Sequence, residues 1–364
     1  MLAAFARPGL AHVRAAALLA RFASVEEPKP WLARASAYEV SEQSESLETD
    51  SGPTRARLYS PRGIENPPAL VVVPGVHRLG VDEPRLQRFA RAIAASGVAV
   101  LTPEVKSLTE YRIEPFGIAT IGAAASALAK RQHVERVGVM GMSFAGGLAL
   151  LAAADERYRS GIGFVVAVGA HDDLARVGRF FVTNAIPDAE GHTVQMQAHD
   201  YGIAVLMCDH ADDFFPPEDA AEAKETLRRW LWGEEKEARA RAAKLQPASR
   251  EKLEQLFDKK TAALAPEILR VVEARGPAMR EVSPHGRLGA LHVPVYLLHG
   301  AGDSVIPPTE TGWLAKEVPP AYLRTQLISP AVQHVELHGE PTAGERWALV
   351  HFMAQVLEEA RDTR

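Results

Sequence analysis

Cysteine is almost missing from this chain. Cys208 is the single one among 364 residues, so no intrachain disulfide forms, which suits a reducing compartment. Neither C-x-x-C nor H-E-x-x-H occurs, so no dedicated zinc site is expected. A Gly-rich phosphate loop and a dinucleotide fingerprint are also missing, and no cofactor is expected. There is no basic excess: 41 Lys and Arg stand against 46 Asp and Glu, a net charge of −5, which argues against nucleic acid as a partner. What is plentiful is apolar material. At 47% apolar and 24% charged residues, the composition is that of a soluble globular protein with a substantial core.

Acids are absent from residues 1–24, where Arg7, Arg14 and Arg21 recur every seven residues. On a helix these form one stripe, with Leu10, Val13, Leu18 and Phe22 elsewhere around the axis. The uncharged runs between them, such as 15–20, are too short to span a bilayer. The first expectation is a helix packed on the domain. Its rivals are peripheral membrane contact through that helix and a cleaved transit-like segment. A cytoplasmic location, with or without membrane association, follows. Residues 41–54 are polar and acid-rich and suit a loop or an edge hairpin.

Apolar runs at 69–73, 98–102, 137–140, 163–168 and 293–298 alternate with helical patterns at 83–96 and 119–130. Such alternation predicts a mostly parallel sheet covered on both faces, an α/β fold. One junction carries chemistry. The strand-like Val137-Gly138-Val139-Met140 turns through Gly141-Met142-Ser143-Phe144-Ala145 into a helix-like run. A serine flanked at two residues' distance by small residues has the form of a nucleophile elbow: bulk at 141 or 145 would clash in so tight a turn. An ordinary strand-turn-helix with a capping serine is the bland rival. Further on, a strand ends in His299-Gly300-Ala301-Gly302-Asp303, and strand-like 325–329 precedes a loop with His334.

Ser143, Asp303 and His334 thus stand in the chain order nucleophile, acid, base, and the chain resembles the α/β-hydrolase superfamily over about residues 55–360. Its Ser-Phe-Ala-Gly-Gly elbow is similar to those of dienelactone-hydrolase-like and peptidase-like members. The resemblance implies the α/β-hydrolase fold and a serine hydrolase. Ser143 would be the nucleophile, His334 the general base and Asp303 the acid that orients it. One oxyanion donor would be the amide of Phe144, the residue after the nucleophile. The other belongs to the loop after 71–73, where many relatives carry His-Gly. This chain has Pro74-Gly75-Val76-His77, and the amide of Val76 is favoured.

From 171 to 291 strand-like runs become rare and charged helical stretches dominate, at 217–232, 234–245, 249–264 and 266–274. The organisation expected is therefore an N-terminal helix and polar linker (1–54), a first core part (55–170), a helical cap insertion (171–291) and a second core part (292–364). A cap roofs a pocket; an appendage for oligomer contacts is the alternative. Phe180, Phe181, Phe214, Phe215, Trp230 and Trp232 are read mostly as cap core rather than pocket lining.

Each role has rivals. His338 competes with His334, and would share a face with it if 334–338 formed a helix turn. Asp172 and Asp173 compete with Asp303. His77 is either a substrate contact or a surface histidine, and His299 reads as a buried, hydrogen-bonded one. The run Cys208-Asp209-His210-Ala211-Asp212-Asp213 reads as a solvated loop rather than a metal site. The expected partner is a small-molecule acyl substrate, and the oligomeric state stays open. The expected activity is cleavage of a carboxylic ester or related acyl bond. The alternatives are a serine peptidase or amidase and a non-catalytic binding protein on the same fold.

Overall fold

The structure, a computed structural model, describes residues 2–23, 31–35, 37–49, 52–333, 336–337 and 341–363. The chain opens with a long helix, α1 (Leu2–Ala23), and a single turn, α2 (Trp31–Arg34). The acid-rich segment is indeed an edge hairpin, β1 (Val40–Thr49) and β2 (Gly52–Pro61). Then come β3 (Ala69–Val73), α3 (Pro84–Ala94), β4 (Ala99–Pro103), the short α4 (Lys106–Thr109), α5 (Phe116–Gln132), β5 (Val137–Met142), α6 (Phe144–Ala154) and β6 (Ile162–Val168). A helical excursion follows. It runs α7 (Leu174–Thr183), a small hairpin β7 (Ala185–Pro187) and β8 (Thr193–Gln195), and then α8 (Asp200–Asp209), α9 (Ala211–Phe214), α10 (Pro217–Leu231), α11 (Glu235–Ala242), α12 (Pro247–Phe257), α13 (Ala265–Ala274) and α14 (Gly276–Glu281). The chain returns with β9 (Val295–Gly300), α15 (Thr309–Glu317), β10 (Leu323–Ser329), the paired β11 (Val332–Gln333) and β12 (Glu336–Leu337), and α16 (Ala343–Asp362).

One eight-stranded sheet runs in the order β1-β2-β4-β3-β5-β6-β9-β10, antiparallel at β1-β2 and β2-β4 and parallel from β4 onward. The central strands β3 and β4 are buried on both faces, which is why they read as unbroken apolar runs. At one edge, β1 carries Glu42, Glu45 and Glu48, which discourage pairing with another chain. Alternate side chains build two cores. Val71, Val139 and Leu297 face α5, α6 and the excursion. Leu70, Met140 and Leu298 face α3, α16 and α1.

Helix α1 packs on α16 and α3 through Ala11, Ala15 and Leu18. The arginine stripe expected from the sequence does not lie apart from this contact. Arg21 is buried and donates to the carbonyls of Ala33, Ala35 and Ala92 and to Ser96 Oγ. Leu10 and Val13 of α1 are exposed apolar residues. Among the described residues no helix is long and apolar enough to cross a membrane.

Two readings change. Residues 208–213 are not a solvated loop: Cys208 and Asp209 end α8, the run 211–213 lies in α9, and Asp213 pairs with Arg275. Residues 336–337 are a strand paired with 332–333, which removes the helix turn considered for 334–338; His334 and His338 themselves lie outside the described residues.

Candidate active site

The backbone at Ser143 is strained. It sits between β5 and α6 with φ 55° and ψ −133°, a region that costs a non-glycine residue about 1–3 kcal/mol. Two small residues make the turn feasible. A Cβ on Gly141 would lie 2.3 Å from the carbonyl oxygen of Ala145, so only glycine fits there. A Cβ on Gly75 would lie 2.9 Å from Ser143 Cβ and 3.5 Å from its Oγ, so the loop after β3 lies directly against the hydroxyl. Behind the serine, the Ser143 N–H donates to Val168 O of β6 at 2.7 Å. Phe144, first residue of α6, has an N–H with no intrahelical acceptor, at the positive end of the helix dipole. Val76 is held from the other side, because Tyr201 Oη of α8 donates to its carbonyl at 3.2 Å.

Asp303 follows β9, two strands from β5 at the same edge of the sheet. It is wholly buried. Its Oδ1 accepts the N–H groups of Val305 and Ile306 at 2.9 and 3.0 Å, which fixes the carboxylate's orientation. Its Oδ2 lies 3.4 Å from His299 Nε2. His299 is the buried, hydrogen-bonded histidine expected. A carbonyl can only accept, so Nε2 donates to Ile306 O at 2.8 Å and Nδ1 accepts from Thr311 Oγ1 at 2.6 Å. The acid loop touches both neighbours of the site: Ala301 N–H donates to Ser329 O at the end of β10, and His199 N–H donates to Ser304 O. His334, the expected base, lies outside the described residues. The residue two before it, Val332, is buried and lines the same cavity as Ser143.

That cavity, of about 350 Å³, is lined by Gly75, Val76, Ser143 and Phe144 and otherwise mostly by apolar side chains. His77, His199 and Tyr201 line the same cavity as the serine. Burial lowers the pKa of His77, whose Nδ1 accepts the Leu79 N–H at 3.3 Å. Burial pushes Glu83 up, but Arg85 and the Leu86 N–H bind it and hold it below the usual carboxylate range.

No protein-family model matches the chain, and no relative is found among curated proteins. Solved structures do match. A Mycobacterium tuberculosis puromycin-hydrolyzing peptidase superposes with a TM-score of 0.52 at 16% identity, over 90% of this chain and 40% of its own. An acylaminoacyl peptidase solved with Z-Gly-Gly-Phe-chloromethyl ketone gives 0.50 at 13% identity, over 87% and 40%. A Pyrobaculum calidifontis esterase gives 0.47 at 16%, over 91% and 86%. The chain therefore spans two fifths of each peptidase. It has the α/β-hydrolase fold.

Within the α/β-hydrolase fold, the rivals for each role occupy other positions. Asp173 caps α7, accepting the N–H groups of Ala175 and Arg176. Asp172 is tied up with Arg176 and His285, and burial pushes its carboxyl up to about 6. Phe180, Phe181, Phe214 and Phe215 are core, as read; Trp230 stacks on Phe257, and Trp232 lies beneath the guanidinium groups of Arg78 and Arg229. The sequence reading passed over Tyr201, His199 and His171. His171 is packed so closely on α6 that a Cβ on Gly147 would lie 2.4 Å from its ring. Burial lowers His171 to about 4, so it stays neutral and donates through Nε2 to Val282 O. The pair Gly146-Gly147 after the elbow was the available signal: two glycines in an apolar helix imply something close against it.

Proposed function

We propose that this chain is a serine hydrolase that cleaves a carboxylic ester or related acyl bond through an acyl-enzyme on Ser143. The observation that carries the reading is the strained Ser143 backbone with Gly75 packed against the hydroxyl at the end of an apolar cavity. A serine hydroxyl is a weak nucleophile at neutral pH and needs a base, the role assigned to His334. His334 takes the proton as Oγ attacks the carbonyl carbon, and Asp303 holds the imidazole and stabilises its charged form. Negative charge then develops on the carbonyl oxygen, and the N–H groups of Phe144 and Val76 receive it. Such donors contribute about 3–4 kcal/mol each to the transition state. The imidazolium protonates the leaving alcohol as the intermediate collapses. Water, deprotonated by the same histidine, then releases the acid.

Support for His334 is positional. β11 ends at Gln333, Val332 lines the cavity, and the acid loop is bonded to the end of β10. Residues 171–291 act in this reading as a cap, since His199 and Tyr201 border the cavity near Ser143. The segments 1–54, 55–170 and 292–364 are the N-terminal extension and the two halves of the catalytic core. A second reading, a peptidase or amidase, is favoured by the fold likeness to two peptidases. It differs in the leaving group, an amine that His334 must protonate.

Intact-mass labelling with a fluorophosphonate probe tests the mechanism. One adduct on the wild type and none on Ser143→Ala is expected. No adduct on folded wild type overturns the hydrolase and leaves a binding protein on this fold. Matched ester and amide substrates then separate the two enzymatic readings.

A further inference from the structure

The cavity at Ser143 has a polarity gradient. Its polar lining, His77, Glu83, Arg85, Ser143, His199 and Tyr201, all belongs to loops or first turns at the C-terminal edge of the sheet. Away from that edge every lining residue among those described is apolar. The floor is the sheet itself, with Met140 and Met142 of β5 on one face of the strand. Met140 stands three residues before Ser143, so at about 3.3 Å per residue the cavity reaches roughly 10 Å back along the strand. The sides are Leu86 and Phe89 of α3 and Phe352 and Met353 of α16. A further wall comes from outside the sheet and its flanking helices: Leu19 and Phe22 of α1, three residues apart on one helix face.

That wall is fastened. Arg21, between the two lining residues, is buried and donates to three carbonyls and a serine. The Phe22 ring meets Phe89 edge-on at 5.0 Å, and Arg88 covers it at 5.4 Å while its Nε donates to Phe22 O. An apolar space that begins at a nucleophile and runs on along fixed side chains suits an alkyl chain, because every methylene withdrawn from water adds to binding.

We infer that the apolar limb of this cavity holds a medium-length, unbranched acyl chain of the substrate, and that Leu19 and Phe22 of α1 set how long a chain is accepted. The inference rests on Ser143 being the acylated residue, and it names the acyl class that the proposed function leaves open.

Two arms test it. In the first, Ser143→Ala protein, which does not turn over, is titrated calorimetrically with octanoate and with acetate. Octanoate is expected to bind at least tenfold more tightly; equal affinity overturns the inference whatever the esterase assay gives. In the second, kcat/KM is measured for p-nitrophenyl acetate, butyrate, octanoate and dodecanoate. Leu19→Trp is expected to lower the octanoate-to-acetate ratio at least tenfold. Phe22→Ala, which removes bulk and so covers the case in which the larger side chain prevents folding, is expected to move the optimum to a longer chain. Unchanged profiles in folded variants overturn the role of α1. Fluorophosphonate labelling keeps the two claims apart. Labelling with a flat chain-length profile sinks the acyl limb and leaves the hydrolase. Octanoate binding without labelling sinks the hydrolase and leaves the alkyl-chain site.

Discussion

At the scale of single residues, the site is governed by close approaches rather than by charge. Gly75 is the sharpest case. Its φ lies outside the left-handed region, so alanine suits the backbone, yet the new Cβ would meet Ser143 Cβ at 2.9 Å. Gly75→Ala is therefore expected to move the loop carrying Val76 off its position and lower kcat by about 10²–10³-fold, the loss typical of one oxyanion donor. Tm should stay near the wild-type value; steady-state kinetics beside a thermal melt check both. His171 sets an acid limit on the fold. Its pKa falls from 6.5 to about 4 on burial, so the unfolded chain binds the proton first. Stability from the neutral ring is whole above pH 6.5 and is lost as the pH falls toward 4, about 3 kcal/mol in all. Asp172, raised to about 6, acts in the opposite sense, its contribution falling as the pH rises. Urea melts of wild type and His171→Gln at neutral pH and pH 4 isolate the histidine term: the variant should lose less. The turn formed by Gly141 and Ser143 was legible in the sequence because a tight turn constrains its immediate neighbours. Tyr201 and His171 were not, since each acts on a residue more than a hundred positions away, Val76 and Val282.

At the scale of elements, strands and helices with strong periodicity were readable within a few residues. The strand read at 69–73 is β3, and the helical stretch read at 217–232 is α10. The role of α1 was not readable. Its contact stripe is mostly alanine, which carries little hydrophobic signal, and arginine is ordinarily a surface residue. Arg21 is the exception, bound by three carbonyls and the Ser96 hydroxyl, with no carboxylate partner among the described residues. Burial lowers its pKa. Arg21→Met should leave those acceptors unmet and destabilise the fold by about 2–4 kcal/mol, seen as a lower urea midpoint. Amide exchange should rise first in α1 and α2, the elements that this side chain ties to α3.

At the scale of the whole molecule, the helical excursion and the sheet share a buried ionic cluster. Arg176 of α7 donates to Asp172 at 2.8 Å and to Glu310 of α15 at 2.6 Å, and both carboxylates are wholly buried. Glu310 also accepts the N–H groups of Asp172 and Asp173, and His285 donates to Asp172. Removing one member leaves charge stranded, so Arg176→Met should cost about 3–5 kcal/mol in urea unfolding. Replacing Arg176, Asp172 and Glu310 together with apolar residues of similar volume should cost much less. The change to a helical pattern in the excursion was legible from the loss of β-branched runs after 168. Which of its residues reach the serine depends on how eight helices pack, and no periodicity encodes that.

The pairing beneath the excursion is plain: β6 and β9 are parallel neighbours, with Val165 beside Val295 and Val168 beside Leu298. Any such pair needs a crossover, and a single helix would suffice. Everything beyond that minimum is elective length, and closing a loop twice as long costs only about 0.6 kcal/mol more. Descendants of this chain could thus trade the whole helical excursion for another of different size while keeping strand register and the serine turn. Innovation in what enters the site and inheritance of what happens there would then be carried by separate stretches of the gene.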